Sequence, residues 1–225
     1  MTHAAVILSG CGFADGAEIR ESVLALWALD KRGAKVSIFA PDIAQTEVRD
    51  CVSGEALPET RNVLKEAARI ARGDIAPLSA CDPAAFDLLV VPGGFGVAKN
   101  LSDFASCGVD ATIEPEFQRV VRGFYDAKKP IAAICIAPAV VAVALKGEGI
   151  TFTIGEDADC AAAIVASGNH HQNSPSAEAV VDTAHRVASC SAYMRDDALA
   201  PIAEGIEQCV AAVLEMAGQA MKHAA

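Results

Sequence analysis

The stretch IAAICIAPAVVAVAL, residues 131–145, runs from one apolar element straight into another with a cysteine at the join. Residues 131–134 have the composition of a strand buried on both faces, and the alanine- and valine-rich run after Cys135 that of a buried helix. Pro138 stands in the first helical turn, where a missing N–H costs nothing. A strand that turns at once into a helix is a nucleophile elbow, usually written G-x-nucleophile-x-G, and it projects one side chain from a strained corner. Small residues two before and two after the nucleophile avoid clashes. Here they are Ala133 and Ala137, alanine in place of glycine.

Working outward, elements alternate. AAVILSG (4–10) reads as a strand, AEIRESVLALWALDKRG (17–33) as a helix closed by Lys31, Arg32 and Gly33, and AKVSIFAP (34–41) as a second strand. PETRNVLKEAARIARG (58–73) has helical spacing, FDLLVVPGG (86–94) is an apolar strand, and a helix covers about 115–126 before the strand KPIAAIC (129–135). TFTIG (151–155) is a candidate strand followed by a helix over 156–167; 177–182 and 185–193 read as a hairpin, and 199–217 as a final helix. Strand–helix–strand order implies α/β: a flavodoxin-like or Rossmann-like open, mostly parallel sheet with helices on both faces. No Pro/Ser/Gly-rich linker interrupts the chain, so residues 1–225 read as a single domain. Ligands of such sheets bind at the carboxyl ends of the strands, where SGCG, PGGFG and ICIAP should converge.

Composition excludes several functions. With 29 acidic against 18 basic residues the net charge is −11, which repels phosphate backbones and argues against nucleic-acid binding. No apolar run approaches the roughly 20 residues of a membrane span, and MTHAAVILSG reads as a first strand rather than a signal peptide. The eight cysteines, at 11, 51, 81, 107, 135, 160, 190 and 209, form no CxxC and no Cys–His pair at zinc spacing. They read as free thiols, mostly buried, in a reducing cytosol, giving a cytoplasmic protein without metal or cofactor.

At the head of a helix, Cys135 feels a partial positive charge that favours its thiolate and lowers its pKa. The N–H of Ile136 would face the site. Gly93 and Gly94 in PGGFG let backbone come close, so the N–H groups of Gly94 and Ile136 form a candidate oxyanion hole.

The motifs SGCGFADGAEIRESV, GEALPETRNVLKEAARIARG, PGGFGVAKNLSDFAS and ICIAPA resemble the ElbB family, named for enhancing lycopene biosynthesis. That family lies within the superfamily of DJ-1, the PfpI proteases and the class I glutamine amidotransferase-like domains. The resemblance spans about 5–217. It implies that Cys135 is the nucleophile and that a glutamate early in the first helix hydrogen-bonds it, at Glu21 with Glu18 as the second candidate. It further implies a homodimer and a link to isoprenoid biosynthesis. PfpI-type members place His directly after the cysteine, where this chain has Ile136; the next strand offers Thr153, Ile154 and Gly155. None of His3, His170, His171, His185 and His223 is placed to serve Cys135, so glutaminase and protease chemistry is not expected.

The activity implied is a glutathione-independent glyoxalase type, turning glyoxal or another small dicarbonyl into a hydroxy acid. The alternatives are a redox-sensing or binding protein with a reactive elbow cysteine, with Cys11 near the same site, and a scaffold that keeps the elbow without using it. Arg61 and Asn62 are candidates for the mouth of the pocket, set against ordinary helix-surface contacts.

Overall fold

Three strands with no exposed side chains at their centre fix the architecture. In a computed structural model, which describes residues 1–223, the elements in chain order are β1 (His3–Ile7), α1 (Ile19–Lys31), β2 (Lys35–Ala40), β3 (Val48–Arg49), β4 (Ala56–Leu57), α2 (Val63–Ile70), β5 (Ala76–Pro77), β6 (Leu88–Val91), α3 (Phe95–Lys99), α4 (Phe104–Cys107), α5 (Pro115–Asp126) and β7 (Ile131–Ile134). There follow α6 (Ala137–Ala144), β8 (Thr151–Phe152), α7 (Ala158–Ala166), β9 (His170–His171), β10 (Ala179–Asp182), β11 (Val187–Cys190) and α8 (Leu199–His223). Seven strands form one sheet in the order β10-β11-β7-β6-β1-β2-β5. All neighbours are parallel except the β10–β11 pair, which is the expected hairpin. This is the flavodoxin-like α/β sheet read from the sequence.

Burial explains the composition of the central strands. Every side chain of β6 and β7 is buried, as helices around a parallel sheet require. α8 packs on β6, β7, β10 and β11 and also against α1, while α5 lies on β6 and β7. Phe117, Val120, Val121 and Phe124 turn the apolar face of α5 into the core. Among the described residues no helix is long and apolar enough to cross a membrane.

Two expected elements differ. The helix read over 58–73 begins only at Val63, because Asn62 caps it: its side-chain oxygen accepts from the Lys65 N–H at 3.0 Å. Residues 56–57 instead pair antiparallel with 48–49 in a small hairpin. TFTIG gives only the two-residue β8, which pairs with β9 outside the main sheet. The cysteines also divide more evenly than expected: 81, 135, 190 and 209 are buried, 11 and 160 half-buried, 51 and 107 exposed, and all are free.

Candidate active site

The elbow is real geometry. Cys135 has φ of +62°, a left-handed conformation that a residue with a Cβ adopts only under constraint. The constraints are near: its N–H donates to the Cys190 carbonyl at 2.9 Å, Ala133 and Ala137 are fully buried on either side, and Ile136 leads directly into α6. The strained corner turns the sulfur toward the C-terminal ends of β1, β6 and β11.

Two loops close around it. The Glu18 N–H donates to the Gly93 carbonyl at 2.9 Å, and the Gly96 N–H to the Gly16 carbonyl at 2.9 Å, stitching the β1–α1 loop to the β6–α3 loop. Gly94 sits at φ +97° with the Glu18 nitrogen only 2.3 Å from where a Cβ would stand, so no other residue fits that seam. The same seam delivers α1, whose first turn carries Glu18 and Glu21.

Glu21 is fully buried and hydrogen-bonded to the Cys135 thiol. Its Oε2 accepts from the Gly93 N–H at 3.1 Å, and its Oε1 from the Tyr193 N–H at 3.3 Å. The amides of Gly94 and Ile136 point at the sulfur of Cys135. Four backbone donors thus converge on two acidic groups, an arrangement suited to one shared negative charge. Burial pushes Glu21 up to about 7, against the pull of its hydrogen bonds and with the help of Glu18.

The sulfur corrects one expectation. Burial, followed by the charge of Glu21, raises the Cys135 thiol well above its ordinary value, outweighing the two amides that favour the thiolate. The helix N-terminus does not win, because the group is enclosed and faces a carboxylate. Glu21 is thus the group of the pair that ionises first, near pH 7, and a thiolate at Cys135 would form by passing its proton to Glu21. Labelling of Cys135 by iodoacetamide should accordingly rise through an apparent pKa near 7, carried by Glu21, and that step should vanish in Glu21→Gln. Peptide-resolved mass spectrometry against pH reads both.

A cavity of about 330 Å³ opens above the pair, lined by Phe13, Glu18, Phe95, Asp157, Cys160 and Tyr193 among others. Glu18, the second glutamate candidate, forms part of its wall. It caps α1, accepting from the Glu21 N–H at 2.6 Å, and burial raises its carboxyl. Gly94 and Ile136 also border the cavity, whereas Gly93 lies behind the pair. Three candidates do not line it. Cys11 is half-buried beside Asp15, Glu66 and Arg69; Arg61 pairs with Glu59 at 2.8 Å and Glu66 at 3.8 Å; Asn62 caps α2 and donates to Asp42 at 2.8 Å. Their partners are local, which is the helix-surface reading.

No histidine borders the cavity; the His223 side chain lies outside those described. Thr153, the residue after β8, is buried with its hydroxyl paired to that of Ser174 at 2.9 Å. Sequence reading missed Phe13, Phe95, Asp157, Cys160, Tyr193 and Met194 as cavity residues. Phe13 and Phe95 sit in quoted loop motifs, and their exposure, 50% and 51%, is that of aromatics facing an opening. For residues 157–160 and 193–194 only topology brings them in.

Comparison with known proteins agrees with this geometry. Residues 11–193 match the profile of the DJ-1/PfpI family. The ES1 protein homolog, mitochondrial, of Rattus norvegicus is 43% identical, with 96% of this chain and 84% of that protein covered. The human glutamine amidotransferase-like class 1 domain-containing protein 3, mitochondrial, is also 43% identical, with 96% and 83% covered. A crystal structure from Ehrlichia chaffeensis, described as an isoprenoid biosynthesis protein with amidotransferase-like domain, superposes with a TM-score of 0.91 at 43% identity, covering 96% of this chain and 99% of that one. The mitochondrial names of these relatives, shared by the ES1 protein of Danio rerio, overturn the expectation of a cytoplasmic location. Free thiols report a reducing environment and do not distinguish one reducing compartment from another.

Proposed function

From a chain that belongs to the DJ-1/PfpI family, we propose a glutathione-independent glyoxalase-type activity: conversion of glyoxal or another small 2-oxoaldehyde to the 2-hydroxy acid, with Cys135 as nucleophile and Glu21 as the proton carrier. The observation that carries this reading is the hydrogen bond between a fully buried Glu21 and the elbow thiol, which lines a cavity bordered by no histidine among the described residues.

The steps follow from the groups present. The Cys135 proton passes to Glu21, and the sulfur adds to the aldehyde carbon to give a hemithioacetal. The oxyanion that forms lies within reach of the Gly94 and Ile136 amides, which also face the sulfur. Glu21, once more a carboxylate, removes the C–H proton of the hemithioacetal carbon, giving an enediol. It returns a proton to the neighbouring carbon, so that the carbon bound to sulfur becomes a thioester carbonyl and its neighbour carries the hydroxyl. Water then hydrolyses the thioester, releasing the hydroxy acid and restoring the thiol. The balance is oxoaldehyde plus water to hydroxy acid, with no external oxidant or reductant. A carboxyl with a pKa near 7 suits a group that must both take and return a proton at neutral pH. No leaving amine needs protonation, so this chemistry does not call for a histidine beside the thiol.

A dedicated peroxide sensor fits less well. Such cysteines are exposed and of low pKa, whereas Cys135 is 7% exposed and its thiol is raised. The test is glycolate formation from glyoxal in glutathione-free buffer by the wild type and by Cys135→Ser. The reading expects turnover in the first and a loss of at least about 1,000-fold in the second, the scale seen when a nucleophile is removed. Equal rates would exclude the elbow from the reaction.

A further inference from the structure

The active-site cavity shares part of its wall with a neighbouring hollow. A second hollow of about 310 Å³ adjoins it, and Phe95, Ile136 and Cys160 border both. It runs between α3, α4 and α7, with Ala98, Phe104, Ala105 and Ala163 along its walls. Apolar atoms dominate this surface, and three of its lining residues are alanines, whose small side chains leave the groove open. Glyoxal, with two carbons and no tail, leaves the hollow empty.

Charge narrows the choice of occupant. Among the described residues no Lys, Arg or His borders either space, while Glu18 and Asp157 stand in the first and Asp159 in the second. A phosphate or carboxylate tail would meet these acidic groups, while the nearby cation Arg20 already donates to the Tyr193 hydroxyl at 3.0 Å and faces Glu18, so the cost grows as water is excluded. A neutral hydrocarbon tail meets no such cost and gains from leaving water.

We infer that the substrates handled at Cys135 are aldehydes bearing an uncharged apolar tail that lies in the groove between α3, α4 and α7. This rests on the reading of Cys135 as nucleophile toward 2-oxoaldehydes, and it assigns the groove as the subsite for the group beyond the dicarbonyl. Each buried methylene is worth about fourfold in affinity, so a hexyl tail with two to three of its methylenes in the groove gains about 30-fold.

Two readouts keep the inference separate from the activity on which it rests. The first is the second-order rate of Cys135 alkylation by N-hexyl iodoacetamide, by its carboxyl-terminated analogue and by iodoacetamide, which needs no turnover. The second is kcat/KM for 2-oxooctanal against glyoxal. The inference expects the hexyl reagent to label Cys135 about 30-fold faster than iodoacetamide, the carboxylate analogue to show no such gain, and 2-oxooctanal to be preferred by a similar factor. Ala163→Glu and, independently, Ala105→Glu should each bring the hexyl-to-parent ratio below about threefold. Equal labelling by the hexyl and parent reagents in the wild type, or a ratio unmoved by both groove variants, would overturn the inference even with glyoxal turnover intact. A labelling gain that both variants remove, with no oxoaldehyde turned over, would uphold the groove and defeat the glyoxalase reading instead.

Discussion

Gly93→Ala should abolish turnover and destabilise the fold, although it adds a single methyl group. A Cβ at position 93 would stand 2.4 Å from the Cys135 Cβ, 2.7 Å from the Glu21 Oε2 and 2.8 Å from the Ile134 carbonyl oxygen. All three neighbours are held: the first by the strained elbow, the second by its amide donors, the third by the sheet. Nothing at this point is a flexible chain end that can swing aside. Overpacking of this kind costs about 1–3 kcal/mol, and more where backbone has to move. The relaxation must also push Glu21 away from the sulfur, and a displacement of about 1 Å in a catalytic pair is worth roughly 100-fold in rate. Gly54→Ala provides the contrast. Its Cβ meets nothing within 4 Å, though its φ is +76°. It should lose about 1 kcal/mol from the left-handed conformation alone and keep full activity. Thermal unfolding and glycolate assays on the two variants separate steric collapse at the pair from general backbone strain.

Glu21→Gln should abolish catalysis and, at the same time, flatten the pH dependence of stability. The carboxyl has a folded-state pKa of about 7 against an ordinary 4.5, raised by burial. Between these values the folded protein binds more protons at this site than the unfolded chain. Stability from this group is therefore fully present below pH 4.5 and is lost as pH rises through 7. A shift of this size corresponds to roughly 3 kcal/mol. The wild type should lose about that much between pH 4.5 and 8 from this residue, and Glu21→Gln should not. Urea unfolding of both proteins across that range measures the difference, and parallel pH curves would show that Glu21 ionises as an ordinary carboxyl. Glu21 is thus held at a cost in stability above neutral pH, the cost expected of the buried proton carrier proposed for it.

The elbow and the sheet were legible because they rest on local chemistry. Two small residues around Cys135, a proline in the next turn and unbroken apolar strands are consequences of packing that leave a mark in sequence. Helix α5 likewise announced its own start, with Glu114 accepting from the Phe117 N–H at 2.7 Å and Pro115 following. Glu21 was legible through the family resemblance rather than through pattern, since a glutamate in a first helical turn is ordinarily a solvated residue. Its burial comes from the β1–α1 loop being stitched to Gly93 and Gly94, a long-range event. The raised thiol of Cys135 was misjudged for the same reason: the helix N-terminus is visible in sequence, and the enclosure that outweighs it is not. Arg61 and Asn62 were drawn toward the site by a motif whose polar groups satisfy one another locally, around the N-terminus of α2. Residues 193–194 reach the cavity because β11 lies beside β7, and those of α7 because that helix packs on α6, which no spacing along the chain reveals.

The central claim is that the Cys135–Glu21 pair moves a proton through an enediol. It is tested most directly by nuclear magnetic resonance of the glycolate formed from unlabelled glyoxal in deuterated water. Glu21 exchanges its proton with solvent between removal and return, so the account expects product carrying deuterium on the carbon next to the carboxylate, formed by the wild type and absent with Cys135→Ser. Glycolate without deuterium at that carbon, formed as fast by Glu21→Gln as by the wild type, would mean direct hydride migration and would remove Glu21 from the reaction, while labelled product from Cys135→Ser would remove the thiol.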